Sequence, residues 1–398
     1  MDISRIRDDF PTLKSRDHIY LDSACQSLKP KQVIDSILSY YNEFPACGGR
    51  SVHSMATKVS MKIDDSREKV ARFLGAVDQS EIVFTKNCTE SLNIVAKGIG
   101  LKKNDVVVTS DSEHNSNHIP WMDLVETAGI KRKFFKTSEQ GEFNIEEFKK
   151  VMDKNVKIVS ITHMSNVTGV TFPTKDIIDI AHEHGALVMA DGAQAAPHVP
   201  VNMKKTDVDF YTASGHKMLG PSGTGILYGK AELLKTLRPL ISGGGTVGLA
   251  TYDSIKLSPP PERFEAGLLN YSGIIGMGAA VDYLMRLGMD KVQKHEKHLQ
   301  NVLSKEIEDI GIKTIGPEDP KKRGGIFSFN IDGLESHDVA MMLDAKGIMI
   351  RSGMHCAHPF FVSRGVHGCA RASMYLYNDD SDVIRFADSL KKIIATFA

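Results

Sequence analysis

The sequence predicts an α/β protein: a large domain on a mostly parallel, doubly wound sheet, and a smaller α+β domain at the C-terminal end. Three observations carry this prediction. The middle of the chain holds short apolar runs of strand length, DVVVTS, VKIVSITH, ALVMAD, VDFYTAS and GILYGK. Continuous runs of this kind suit strands covered on both faces. Between them, FNIEEFKKVMDK and TKDIIDIAHEHG place apolar residues at helical spacing, the second closing on Gly185 as a helix stop. Strand and helix in alternation give an open sheet with helices on both sides. From about Gly273 the texture changes. Long amphipathic helices (GAAVDYLMRLG, KHEKHLQNVLSKEIEDIG) precede a strand, GGIFSFNI, and a last helix, DDSDVIRFADSLKKIIATF. The expected division is a large domain over 16–272 and a small one over 273–398, the latter joined by segment 1–15.

Bulk properties narrow the function. A chain of 398 residues suits one large domain plus a smaller one. Lys plus Arg number 49 and Asp plus Glu number 49, so no net charge draws the chain to nucleic acid or an acidic membrane. No apolar run approaches the length of a membrane span, and MDISRIRDDFPTLK resembles neither a secretory signal nor a transit peptide. Five cysteines in so long a chain do not form a disulfide framework. The expectation is a cytoplasmic protein in a reducing compartment.

Three stretches fall at the carboxyl ends of predicted strands, where open α/β sheets bind ligands. After ALVMA comes DGAQ, with Asp191 and Gln194; after VDFYTA comes SGHKMLGP, with Ser214, His216 and Lys217; after EIVFTKN comes CTESLNIVAKG, where Thr89 opens a helix. Lys217, beside a histidine and between Gly215 and Gly220, reads either as a surface lysine in a turn or as an amine that condenses with a carbonyl cofactor. Asp191 favours the second. Pyridoxal phosphate needs a carboxylate to keep its ring nitrogen protonated, and a strand-end Asp followed one strand later by a strand-end Lys supplies both groups. Phosphate would then meet Thr89, Ser214, His216 and the amides that open the TESLNIVAKG helix. Thr89 taken alone reads equally well as a helix N-cap.

These stretches, together with ITHMSNVTG, SEHNSNHIPW, RFEAG and RSGMHCAHP, resemble the fold-type-I, class-V-aminotransferase-like enzymes that use pyridoxal 5'-phosphate. More narrowly, the chain is similar to the cysteine desulfurases of the SUF type (group II), with selenocysteine lyases as close relatives. The resemblance runs in order over essentially the whole chain. It implies that Lys217 holds the cofactor and moves the substrate Cα proton, and that Asp191 pairs with the ring nitrogen. It further implies His114 stacked on the ring, Gln194 near the phenolic oxygen and Asn166 beside it, helping to orient substrate. Thr89, Ser214, His216 and the Cys88 amide would hold the phosphate, and Arg371, in GCARASMYLYN, the substrate carboxylate. Two departures stand out: Cys88 replaces the first of two threonines common in the family, and RFEAGLLN puts Leu268 where a threonine usually reaches the phosphate of the neighbouring subunit.

GMHCAHPF and VHGC place Cys356, His358, His367 and Cys369 in a pattern that could be a metal set, a disulfide or a nucleophile. Zinc ligands are usually spaced by two to four residues, not one, and a disulfide does not suit the compartment. The resemblance assigns Cys356 the attack on substrate sulfur, which leaves a persulfide on the enzyme. Arg351, His355 and His358 are then the neighbours expected to favour its thiolate, and Cys369 a core residue. Packing is also the expectation for Cys25 and Cys47, and a solvated helix end for His182 and His184; Arg50 and His53 match a motif near the family's active site, at the dimer interface.

The function so implied is a homodimeric cysteine desulfurase that converts L-cysteine to L-alanine and passes sulfur to an acceptor or iron–sulfur scaffold protein. L-Selenocysteine lyase or cysteine-sulfinate desulfinase activity is the alternative within the same chemistry. A non-catalytic sulfur carrier would make the Lys217–Asp191 pair idle.

Overall fold

The computed structural model describes residues 1–15, 17–308 and 310–397; residue 16, the expected start of the large domain, lies outside them. Seven strands form the central sheet in the order Ile82–Thr85, Gly225–Gly229, Phe210–Ser214, Leu187–Asp191, Val156–Thr162, Val106–Ser110, Lys131–Phe135. All pairings are parallel except those of Gly225–Gly229, which runs antiparallel to both neighbours. The apolar runs become these strands because both faces are covered. Val107, Val108, Ile158, Val159, Val188 and Met189 are all fully buried, and each contributes about 1.5–3 kcal/mol by leaving water.

The FNIEEFKKVMDK helix is shorter than its apolar spacing suggests, spanning Ile145–Val151. Asn144 Oδ1 caps it by accepting from the amides of Glu146 and Glu147, and Met152 already has extended backbone. Thr174–Glu183 ends as expected, with Gly185 in the left-handed region.

Four antiparallel strands, in the order Ile312–Ile315, Ile326–Ile331, Cys369–Ser373, Arg351–Gly353, form a second sheet. Helices Met289–Glu306, Ser336–Asp344 and Asp380–Phe397 share an apolar cluster with it, through Leu299, Leu343 and Phe386 against Phe327 and Phe329. The helix Tyr271–Leu287 runs through the expected boundary at 272/273, and its Ile274, Met277, Val281 and Leu284 pack into the main cluster of the seven-stranded sheet. The N-terminal segment bridges the two sheets. Arg7 Nη1 donates to Tyr377 O at 2.8 Å and to Asp382 Oδ2 at 2.7 Å, while Phe10 packs edge-on against Tyr283 and Tyr377.

No helix among the described residues is long and apolar enough to cross a membrane.

Candidate active site

The carboxyl ends of the parallel strands, the loop 351–358 and the segment after Ile19–Tyr20 enclose one cavity of about 230 Å³. All eleven residues singled out from the sequence border it: Cys88, Thr89, His114, Asn166, Asp191, Gln194, Ser214, His216, Lys217, Cys356 and Arg371.

Asp191 ends its strand buried, with one carboxylate oxygen accepting from Ala193 N at 3.0 Å. Close packing fixes that strand end: a Cβ on Gly192 would lie 2.0 Å from the Tyr211 ring. Burial pushes the Asp191 carboxyl upward, against the Ala193 amide and Lys217, which pull it down. Lys217 closes the short turn after Phe210–Ser214. Burial pushes its ammonium downward, while Cys88 and Asp191 oppose the shift. Among the described residues the Lys217 amine has neither a hydrogen-bond nor an ion-pair partner.

The helix Cys88–Gly98 points its N-terminus at the cavity. Its cap is Asn87, whose side chain accepts from Glu90 N; Thr89, for which the N-cap was one of two readings, lies inside the helix. Thr89 is exposed at the rim, its hydroxyl 2.7 Å from Ser116 Oγ. Gly225 allows this arrangement, since a Cβ there would meet the Asn87 backbone at 2.5 Å. Cys88 N donates to Ser214 Oγ at 2.9 Å, and burial pushes the Cys88 thiol up to about 12. That thiol rests against the Asp191 carboxylate. Glu265 of RFEAG acts at the base of this arm. It takes a two-pronged ion pair from Arg67 at 2.7 and 2.9 Å and accepts from Phe84 N, which anchors the strand leading into the helix.

His114 caps the helix Asn115–Ala128, and burial with Lys217 and Arg371 nearby lowers its imidazole to about 3, so it is neutral near pH 7. His216 is lowered to about 4, first by burial and then by Lys217 and Lys29. Gln194 Nε2 donates to Ala24 O at 2.7 Å, and its buried Oε1 has no partner. Arg371 is buried on the second sheet, with Nη1 donating to Asn166 O at 2.9 Å, Nη2 3.4 Å from Asp22 Oδ1, and Nε unpartnered.

Cys356 is exposed at the mouth. It and His355 both take left-handed backbone, φ 55° and 48°, which non-glycine residues rarely adopt. Two bonds hold them there: Asn115 N donates to Cys356 O at 2.6 Å, and Asn166 Nδ2 donates to His355 O at 2.8 Å. The expected cationic setting of this loop needs correction. His355 turns inward and donates Nε2–H to Cys369 O at 3.0 Å; burial, aided by Arg371, lowers its imidazole to about 3, so it brings no charge. His358 Nδ1 accepts from Asn115 Nδ2 at 2.7 Å. The guanidinium of Arg351 reaches Cys25, its Nη1 lying 2.6 Å from Sγ. Cys369 is buried among Val167, Phe360 and Phe361, as expected of a core thiol.

Further residues border the cavity that the sequence did not single out for it, among them Cys25, Asn87, Ser116 and Thr162. His182 is tied to Asp209, its Nε2 2.8 Å from Oδ2. His53 Nδ1 accepts from Ala56 N at the start of the helix Ser54–Leu74.

Residues 19–386 match the aminotransferase class-V family. A probable cysteine desulfurase of Halalkalibacterium halodurans is 39% identical over 98% of this chain and 98% of its own. Among solved structures, an apo cysteine desulfurase from Thermococcus onnurineus superposes with a TM-score of 0.95 at 38% identity, over 99% of this chain and 98% of its own. An Escherichia coli cysteine desulfurase carrying an S-sulfonic acid gives 0.93 at 31% identity, over 100% and 99%. With a site assembled at the strand ends from both sheets, this chain belongs to the aminotransferase class-V family and, within it, to the cysteine desulfurases.

Proposed function

We propose that the chain is a pyridoxal-phosphate-dependent cysteine desulfurase of the SUF type that converts L-cysteine to L-alanine and leaves the removed sulfur on Cys356. The observation that carries this reading is an unpaired couple: Lys217 and Asp191 share one cavity without an ion pair between them, and the exposed Cys356 stands at its mouth.

The residues fit the cofactor. A buried amine and a buried carboxylate, each shifted toward its neutral form, call for a polar group between them. Gln194 Oε1 and Arg371 Nε, both buried and unpartnered, call for polar ligands as well. Pyridoxal phosphate, when bound, supplies an aromatic ring that stabilises negative charge at the substrate Cα. Lys217 and Asp191 would hold its two ends of charge, His114 its face and Gln194 its ring oxygen. Ser214, His216, Thr89 and the amides at Cys88 would take the phosphate.

The downward push on Lys217 keeps a share of its amine neutral, which a nucleophile and proton carrier requires. Lys217 Nζ takes the substrate Cα proton. Arg371, gripped by Asn166 O, offers Nε and the free face of its fork to the substrate carboxylate. Asn166 joins carboxylate site and nucleophile loop, since its side chain holds His355 O. Cys356 Sγ then forms a bond to the substrate sulfur as that sulfur's bond to Cβ breaks. Its exposure supports delivery of the sulfur to an acceptor or iron–sulfur scaffold protein. Exposed Leu249, Tyr252, Ile255 and Leu268, on and beside the hairpin Val247–Leu257, support a homodimer that covers them.

The test is alanine release from L-cysteine with dithiothreitol as sulfur acceptor. Lys217→Ala is expected to lose turnover by roughly 10³-fold or more and to lose the bound cofactor's visible absorbance. Cys356→Ser is expected to keep the absorbance and lose turnover. Full turnover by Cys356→Ser would refute a sulfur-carrying Cys356.

A further inference from the structure

The cavity holds a second thiol for which the reaction as described has no use. Cys25 follows the strand Ile19–Tyr20 and is half-buried on the cavity wall, in the same enclosure as Cys356, Lys217 and Arg371. Of the remaining cysteines, Cys88 and Cys369 are buried and the thiol of each is pushed up to about 12, and Cys47 is exposed and lies outside the cavity wall. Cys25 is thus the one thiol beside Cys356 that faces the cavity without being locked in the core.

Its surroundings suit a sulfur anion. Arg351 Nη1 lies 2.6 Å from Cys25 Sγ, and the same guanidinium is 3.9 Å from Asp22 Oδ2, so it is aimed from two sides. The wall around Cys25 also carries the groups proposed above for cofactor and substrate. Gln194, 2% exposed, donates to Ala24 O directly before Cys25 and leaves Oε1 unpartnered on the cavity wall. Arg371, also 2% exposed, leaves Nε unpartnered on the opposite sheet.

We infer that Cys25 is a second sulfur-carrying residue, which receives the outer sulfur of the Cys356 persulfide and holds it against Arg351. This rests on the proposed desulfurase reading and adds a step after it. The Cys25 sulfur attacks the outer sulfur of the persulfide. A new S–S bond forms to Cys25, the bond to Cys356 Sγ breaks, and its electron pair leaves on Cys356 Sγ, which takes up the proton given up by the Cys25 thiol. One thiol and one persulfide become one persulfide and one thiol, so no oxidant or reductant is consumed. Arg351 is the counter-charge of the persulfide anion on Cys25. Cys356 is thereby freed for another turnover while the first sulfur waits inside the cavity.

The experiment gives the cofactor-loaded enzyme excess L-cysteine with no reductant or acceptor, blocks thiols and persulfides by alkylation, and weighs the tryptic peptides. The two cysteines fall in different peptides. The wild type is expected to carry one added sulfur on each, with an alanine burst of about two per chain. Cys25→Ala is expected to carry sulfur on Cys356 alone, with a burst of about one. Cys356→Ser is expected to carry none on Cys25. Sulfur on Cys356 with Cys25 always bare overturns the relay and leaves the desulfurase reading standing. Sulfur on Cys25 in Cys356→Ser overturns it too, because the sulfur would then arrive directly from substrate. If neither peptide gains sulfur, the desulfurase reading falls with the relay.

Discussion

Asn166 binds the nucleophile loop and the carboxylate site at once: its side-chain Nδ2 donates to His355 O, and its backbone oxygen accepts from Arg371 Nη1. The left-handed pair His355–Cys356 is therefore held by a residue of the turn that follows Val156–Thr162 of the central sheet, although it belongs to the loop after a strand of the smaller sheet.

Removing that grip should loosen the loop. In Asn166→Ala the buried His355 carbonyl loses its donor, at a local cost of about 1–3 kcal/mol. Hydrogen exchange is expected to speed up across residues 353–358 and alkylation of Cys356 to accelerate. Unchanged protection there would show that Asn115 alone fixes the loop.

Arg371→Lys keeps the charge and loses the fork. The expected effect on L-cysteine is a KM higher by about 10- to 100-fold with a smaller change in kcat, matching the about 1.5–3 kcal/mol of a charge-assisted hydrogen bond. The melting temperature serves as control, since Arg371 is buried. A KM within twofold of wild type would remove Arg371 from the substrate site.

The buried histidines make stability depend on pH in a defined sense. His114 and His355 are lowered to about 3 in the fold, below the ordinary imidazole value of 6.5. Between those values the unfolded chain binds protons that the folded one refuses. The stability each contributes is whole above about pH 6.5 and is lost as pH falls toward 3, at a limiting slope of about 1.4 kcal/mol per pH unit per group. Denaturant titrations from pH 7 to 4 are expected to show a shallower loss for His355→Gln than for wild type. Parallel curves would mean that the inward-turned ring does not resist protonation.

Covering of the hairpin can be read from mass in solution. Leu249 and Tyr252 are exposed, and a carboxylate at either would be buried unpaired in an interface. Leu249→Glu with Tyr252→Glu is expected to shift light-scattering mass from two chains toward one. Wild type measured as a single chain would contradict the dimer.

Much of this was legible locally. Strand-end Asp191 and Lys217 and the helix at Cys88 follow from apolar runs ending in polar residues, because a parallel sheet gathers its strand ends at one edge. What escaped reading depends on the remote partner. The antiparallel run of Gly225–Gly229 is set by its place between the strand just before it, Phe210–Ser214, and the remote Ile82–Thr85. Thr89 was open to reading as the cap, which Asn87 supplies, and the Gly225 gap beside the Asn87 backbone is visible only in three dimensions. His355 was expected to favour the thiolate from its place beside Cys356, yet its ring turns inward onto Cys369 O. Cys25 carried no motif; it enters the site because Ile19–Tyr20 pairs in parallel with Ile348–Met349, just before Arg351.

The most direct test of the central claim is a single-turnover reaction of the cofactor-loaded enzyme with L-cysteine, following alanine release and the mass of the Cys356 peptide together. The expected result is an added sulfur on that peptide appearing at the rate of alanine release. Alanine formed at the full rate while Cys356 stays an unmodified thiol would contradict the account.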